Sequence, residues 1–330
     1  MTTVEARIGT ELDAYLHGRL HSDLRVDAVR PIPEGHSGFT YFVDAARDGS
    51  PCRLVLRLPP PGARISGPAD VIRQGRIMAA LHEQSVPVPD VVAIAEEPVV
   101  DGRPFVLMEA VEGSRIEALV GSAHPVEVAI AAIDALKAMQ AVPVEKSGIG
   151  GEEPVSLDGE LMRWAWLMER TPQELTGRAP ELGTLLAADR PAERPPTLVH
   201  ADYHYGNLLF RGSQVAAILD WEIAEIGQPL IDVGCICVMG ARKRFDAGHS
   251  PAGAMEVPID AVLSAYGADA GEVRWYLSFS CYKYAAILGY NLMLHRRGKR
   301  PDPVYEHMTG TISGLIDEGI AVLSDPSRGG

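Results

Sequence analysis

Apolar and polar residues alternate over residues 52–58 (CRLVLRL), putting Leu54, Leu56 and Leu58 on one face and Arg53, Val55 and Arg57 on the other. This two-residue period predicts a strand half-buried on its leucine face. Residues 40–46 (TYFVDAA) precede it across RDGSP, and the Asp-Gly step there predicts a hairpin turn. In ADVIRQGRIMAALHEQ, Ile72, Ile77, Met78 and Leu81 recur near helical spacing, with Asp70 near the start of the run. VPVPDVVAIAEEP and PFVLMEAVEG read as further strands separated by Asp-Gly-Arg-Pro. Five strands, these four among them, and one helix are expected in about the first 110 residues.

From Gly113 the texture changes. Long apolar periodicities over residues 126–142, 158–170, 181–188, 272–296 and 303–323 predict helices. They are interrupted by one strand-like insertion, residues 207–210 and 214–219, which reads as a hairpin about Gly212. The expected organisation is a β-rich region, residues 1–112, followed by a mainly helical one, residues 113–330.

Composition narrows the function classes. A chain of 330 residues with 46% apolar residues can bury a substantial core. Its net charge of -14 argues against nucleic acid held by phosphate contacts, and favours a cationic partner only weakly. Four scattered cysteines make no disulfide framework or zinc motif, and Cys235 and Cys237 are expected to be buried thiols. The first residues carry acids rather than a basic leader, and no run is long enough to span a bilayer; a cytoplasmic protein without membrane attachment is expected.

The chemistry concentrates in TLVHADYHYGNLLFRGSQVAAILDWE, residues 197–222. A hairpin centred near Gly212 brings Asn207 and Asp220 to the same end of the ribbon. Their side-chain oxygens are hard ligands of the kind magnesium accepts alongside water and phosphate oxygens. Asp202, in the loop feeding the first strand, is placed to take a proton from an incoming hydroxyl. Singly, each of these residues would more often cap or turn the chain. An Asp base, an Asn after it and an Asp at the end of the following strand together are the arrangement that phosphoryl transfer uses.

LVHADYHYGNLLF followed by AAILDWEIAEIGQPLIDVG closely resembles the catalytic segment of the aminoglycoside phosphotransferase and choline kinase family. The resemblance runs from GHSGFTYFV through LVLRLPPPG and VPVPDVV to FVLMEAVEG. In texture the chain resembles the kinase-like domains associated with acyl-CoA dehydrogenases, in the Val-Leu-Arg strand followed by prolines, the basic residue beside Trp in LMRWAWLMER, and DWE. This resemblance implies an α+β, protein-kinase-like two-lobed fold with a small antiparallel-sheet N-lobe and a mainly helical C-lobe.

It also implies transfer of the γ-phosphoryl group of ATP, or GTP, to a small-molecule hydroxyl with Mg2+, by a monomer or homodimer. Residue by residue, Asp202 becomes the catalytic base, Asn207 and Asp220 the magnesium ligands, His200 a brace of the catalytic loop and Asp232 an anchor. Arg57 stands where the family's phosphate-binding lysine does, and Ser37 is placed to meet the terminal phosphates. Met108 and Ala110 mark the hinge that contacts the base. Glu222 and His204 are candidate helpers at the metal or substrate. Three positions depart from the pattern. Gln74 replaces the helix glutamate that pairs with the lysine, leaving at best an Arg57–Gln74 hydrogen bond; Ala201 replaces a glycine; Gln228 replaces an aspartate. Arg57 and Gln74 motivate the alternative of a nucleotide-binding pseudokinase. The acceptor is expected to be an aminoglycoside-like amine, a hydroxyacyl thioester or another hydroxylated metabolite. The aromatic residues Trp164, Trp166, Trp275, Tyr276, Tyr282, Tyr284 and Tyr290 with Arg296, Arg297 and Lys299 favour a partly apolar or anionic one.

Overall fold

The structure is a computed structural model and describes residues 3–20, 23–32, 39–245 and 255–325. It divides into two compact units: Met1–Gly113 with Glu145–Gly151 and Ala216–Ile223, and Ser114–Val144 with Glu152–Val215 and Ala224–Gly330.

The first unit begins with helix α1 (Val4–Arg19), then strands β1 (Leu24–Pro31), β2 (Phe39–Arg47) and β3 (Ser50–Leu58), helix α2 (Val71–Glu83), and strands β4 (Val91–Val100) and β5 (Arg103–Glu109). The strands form one antiparallel sheet in the order β1-β2-β3-β5-β4. Both tight hairpins are closed by Asp-Gly. Asp48 and Gly49 (φ 50° and 78°) and Asp101 and Gly102 (φ 50° and 66°) lie in the left-handed region, which a primed turn requires at both central positions. Leu54, Leu56 and Leu58 are fully buried as the alternation predicts, in one cluster with Ile8, Leu12 and Leu16 of α1. This second helix was not expected, because a seam of three residues four apart is too narrow to register as a broad apolar stripe. Helix α2 covers the opposite face: a Cβ on Gly75 would lie 2.6 Å from Val106 of β5.

The second unit contains α3 (Pro125–Gln140), α4 (Leu157–Met168), α5 (Gln173–Thr176), α6 (Ala179–Ala188), α7 (Leu230–Gly240), α8 (Arg242–Phe245), α9 (Ile259–Tyr266), α10 (Ala270–Arg296), α11 (Val304–His307) and α12 (Thr309–Ser324). The expected helix over 303–323 is thus broken at Met308. Helix α10 starts at an Asp269–Glu272 capping box and packs on α12, α7, α4 and α6. Helix α7 escaped the periodicity because every residue from Leu230 to Val238 is buried, which erases any polar face. Between α6 and α7 lie strands β6 (Thr197–Val199), β7 (Leu208–Arg211), β8 (Gln214–Ile218) and β9 (Glu225–Gly227); β6 pairs with β9, and β7 with β8 in the expected hairpin. Among the described residues no helix is long and apolar enough to cross a membrane.

Candidate active site

Strand β6 ends in His200-Ala201-Asp202, and the chain there is tied down from α7. The Asp232 carboxylate accepts the backbone N–H of His200 (2.9 Å) and of Ala201 (2.8 Å). Asp232 is fully buried; burial pushes its carboxyl up to about 7, against the pull of these amides and of Lys283. The buried His200 ring accepts the Asp202 N–H at Nδ1 (3.2 Å). Ala201, where a glycine was expected, has φ 63°, so an alanine sits in left-handed backbone.

These ties present Asp202 with both carboxylate oxygens engaged. Oδ2 accepts from the Asn207 amide (3.0 Å), which also donates to the Asp202 carbonyl (3.0 Å). Oδ1 accepts from the Tyr284 hydroxyl of α10 (2.9 Å), and His204 Nε2 stands 3.5 Å from the same oxygen. The other His204 nitrogen accepts the Gly206 N–H (3.0 Å), which leaves Nε2 as the protonated one facing the carboxylate. Burial alone would raise the Asp202 carboxyl. The Nε2–H of His204 facing it and the charge of Lys283 outweigh it and hold the carboxyl well below the usual carboxylate range.

Sequence reasoning missed Lys283 and placed Tyr284 among the aromatic residues of the acceptor side, not at Asp202. Lys283 is fully buried, donates to the Ala201 carbonyl, and lies 3.1 Å from Cys235 Sγ. Burial opposes its charge, but Cys235 and Asp202 hold its pKa above the ordinary value. The available signal was a lone lysine inside the apolar run SFSCYKYAAIL, since a lysine at a buried position needs partners.

The first unit holds a second group of the expected residues. Arg57, on the β3 face away from the leucine core, reaches Asp220 (3.0 Å) and Glu222 (3.3 Å) with one guanidinium nitrogen. Its side chain is only 15% exposed. The segment carrying the two acids is anchored by Ile218 N–H to the Pro87 carbonyl (2.8 Å) and by the buried Trp221 indole to the Ile218 carbonyl (3.1 Å). Asp220 has φ 64°, which an aspartate tolerates better than most residues.

The expected Arg57–Gln74 hydrogen bond is not formed. Gln74 is buried, its amide donates to the Pro68 carbonyl (3.0 Å), and its Oε1 has no hydrogen-bond partner among the described residues. Met108 lies in β5 paired with Val55 and Val91, and the Ala110 N–H is already given to the Arg53 carbonyl (3.1 Å). A base at this strand end would therefore have to use groups other than that amide. Ser37 lies outside the described residues.

Magnesium suits this donor chemistry. In the second unit the amide nitrogen of Asn207 is committed to Asp202, which leaves its carbonyl oxygen as a neutral donor; in the first unit, taken by itself, Asp220 already attracts a cation in the form of Arg57. Among the described residues no three His, Cys, Asp or Glu side chains cluster as a metal centre, but magnesium held by one or two protein oxygens plus phosphates needs no such cluster.

Elsewhere in the second unit, an open cavity of about 700 Å³ lies among α4, α6 and α10, lined mainly by apolar residues including Leu161, Met162, Ala165 and Tyr282. Of the expected acceptor-pocket aromatics, Trp164, Trp275, Tyr276 and Tyr282 are buried, whereas Trp166 is exposed under the Arg170 guanidinium.

The sequence profile of the phosphotransferase enzyme family matches residues 28–276. Acyl-CoA dehydrogenase family member 10 of Mus musculus is 29% identical over 244 residues, 69% of this chain and 22% of that protein. A probable acyl-CoA dehydrogenase of Arabidopsis thaliana is 27% identical over 290 residues, 78% of this chain and 35% of that one. The chain thus spans about a third or less of these relatives. A Ralstonia eutropha protein classed with the aminoglycoside phosphotransferases superposes with a TM-score of 0.72 at 24% identity, covering 96% of this chain and 98% of that one. A thermostable aminoglycoside phosphotransferase variant, solved with AMP-PNP and hygromycin B, superposes at 0.64 and 15% identity, covering 95% and 98%. With this protein-kinase-like fold and a family match over most of its length, the chain belongs to the phosphotransferase enzyme family.

Proposed function

We propose that this chain is an ATP-dependent phosphotransferase that moves the γ-phosphoryl group to a hydroxyl of a small molecule. The observation that carries the reading is the Asp202 carboxylate, kept ionised and oriented at both oxygens by Asn207 and Tyr284. Phosphoryl transfer passes through a loose transition state, so a base is asked mainly to aim the acceptor oxygen and take its proton late. A firmly ionised, fixed carboxylate suits that task. Asn207 and Asp220 are the residues that would hold magnesium, whose chemistry when bound is to neutralise phosphate charge. Arg57 would offer its guanidinium to phosphate oxygens. Asp232 and His200 position the loop without touching substrate.

Similar structures solved with AMP-PNP or with GDP support a nucleotide, with ATP or GTP as candidates. The acceptor reading rests on less. The names of the sequence relatives and the apolar cavity among α4, α6 and α10 favour a hydroxyacyl thioester over a polycationic aminoglycoside. The test is transfer from labelled ATP with magnesium, comparing wild type with Asp202→Asn and Asp220→Ala across hydroxyacyl thioesters and aminoglycosides. Transfer to one class, lost by at least about a thousandfold in Asp202→Asn, supports the reading. The neutral Gln74, bonded to Pro68 and not to Arg57, favours a second reading, a nucleotide-binding pseudokinase. Nucleotide binding without transfer to any acceptor, unchanged by Asp202→Asn, would establish that instead.

A further inference from the structure

The cation that meets the nucleotide phosphates needs a carboxylate to hold it in place, and Gln74, neutral and bonded to Pro68, does not provide one. Gln74 is nevertheless on the correct side of the sheet. Arg57 is paired with Val106, Val106 packs against α2 at Gly75, and paired residues share a face, so Arg57 and α2 lie on the same side. Two carboxylates within reach of Arg57 come from the segment after β8: Asp220 at 3.0 Å and Glu222 at 3.3 Å.

These two acids are not equivalent under the proposed function, on which this inference rests. Asp220 is a proposed magnesium ligand, and a carboxylate oxygen turned to a dication loses much of its attraction for a guanidinium, while the two cations repel. Of these two acids, Glu222 is then the one left to pair with Arg57. It is set for this by its neighbours: Trp221 is 1% exposed with its indole bonded to Ile218, so the residues on either side are fixed to the first unit, which also carries Arg57.

We infer that Glu222 is the positioning residue for Arg57, replacing the helix carboxylate absent at Gln74 and keeping Arg57 from competing with the metal for Asp220. The role differs from direct metal ligation, and the two make different predictions. In Glu222→Gln, Arg57 has Asp220 as its remaining charged partner of the two, so arginine and metal compete for one carboxylate. The affinity for ADP with magnesium should fall about tenfold, the size of one charge-assisted hydrogen bond, and the magnesium concentration giving half-maximal ADP binding should rise.

The experiment is calorimetric titration of ADP at a series of magnesium concentrations into wild type, Glu222→Gln, Glu222→Asp, Arg57→Ala and Arg57→Ala/Glu222→Gln, with the melting temperature of each recorded. The expected result is loss in Glu222→Gln at an unchanged melting temperature, partial recovery in Glu222→Asp, and no further loss when Glu222→Gln is added to Arg57→Ala. Binding by Glu222→Gln equal to wild type overturns the inference. So does a full additional loss in the Arg57→Ala background, which would make Glu222 a metal or nucleotide ligand in its own right. A wild type that binds no nucleotide overturns the proposed function as well, whereas binding by wild type with an indifferent Glu222→Gln overturns the inference alone.

Discussion

A base that aims a hydroxyl has to be fixed in direction, and Asp202 is fixed by one bond to each oxygen, from Asn207 and from Tyr284. Replacing Tyr284 by Phe removes one of these donors and little volume. Turnover is expected to fall about tenfold with nucleotide affinity unchanged, as measured by steady-state kinetics and nucleotide titration; an undiminished kcat would reduce the tyrosine to packing. Beside it, Lys283→Met strips the Ala201 carbonyl of its charged donor, leaving it the weak Cys235 thiol at 3.5 Å, and removes one of the ties that hold the left-handed turn. A loss of about 3 kcal/mol in unfolding free energy is expected in urea titration, and a change within about 0.5 kcal/mol would refute the support role. The contrast between these residues shows what a sequence displays. Asp202, Asn207 and Asp220 occupy one short stretch, and their order carries the chemistry. Tyr284 and Lys283 reach the same loop from 82 positions downstream, and nothing local marks their direction. The partner of Arg57 was misassigned for the same reason: adjacency across a face can be inferred from spacing, but which side chain turns toward the guanidinium depends on the rotamers of three residues.

Strands and turns were more legible than helices, and the reason is local. Asp48-Gly49 and Asp101-Gly102 specify their turns through backbone geometry alone, and the period-two leucines of β3 specify their face. Helix α7 is specified instead by what surrounds it. Its Gly234 lets the backbone of α10 approach so closely that a Cβ there would stand 2.3 Å from the Tyr276 carbonyl oxygen and 2.9 Å from Ser280 Oγ. That approach matters to the site, since α7 supplies Asp232 and α10 supplies Lys283 and Tyr284. Gly234→Ala should therefore push the two helices apart, because the obstacle is backbone rather than a flexible side chain. A destabilisation of about 2–4 kcal/mol is expected in chemical denaturation, although alanine is the better helix former by about 1 kcal/mol. A stabilised variant would show that propensity wins and that the contact yields.

For the whole molecule the most accessible readout is the pH dependence of unfolding, and two buried carboxyls, Asp232 and Glu225, should set its slope near neutrality. Glu225 of β9 and Glu160 of α4 are both buried and share the Arg163 guanidinium, which approaches Glu225 at 2.7 Å. Two carboxylates meet one arginine, and Glu225 Oε1 has no hydrogen-bond partner among the described residues. Burial first, and then the Glu160 charge, push the Glu225 carboxyl up to about 8 from its ordinary 4.5, with Arg163 opposing. The folded chain therefore binds a proton that the unfolded chain has released, and between those two values its unfolding free energy declines as pH rises. The Glu225 proton contributes at most about 1.4 kcal/mol per pH unit, Asp232 adds a second proton of the same sign below its own folded value, and the slope flattens above these values. The overall charge of -14 adds self-repulsion of the same sign, so wild type alone does not identify the source. Glu225→Gln does: it keeps an acceptor for Arg163 and removes the titrating group while changing the net charge by a single unit. Urea unfolding at a series of pH values from about 5 to about 8 should show a declining wild type and a markedly flatter Glu225→Gln, with the variant the more stable at the alkaline end. Parallel slopes in the two proteins would assign the pH dependence to Asp232 and diffuse surface charge, and would mean that Glu225 is ionised in the folded chain with Arg163 compensating both acids.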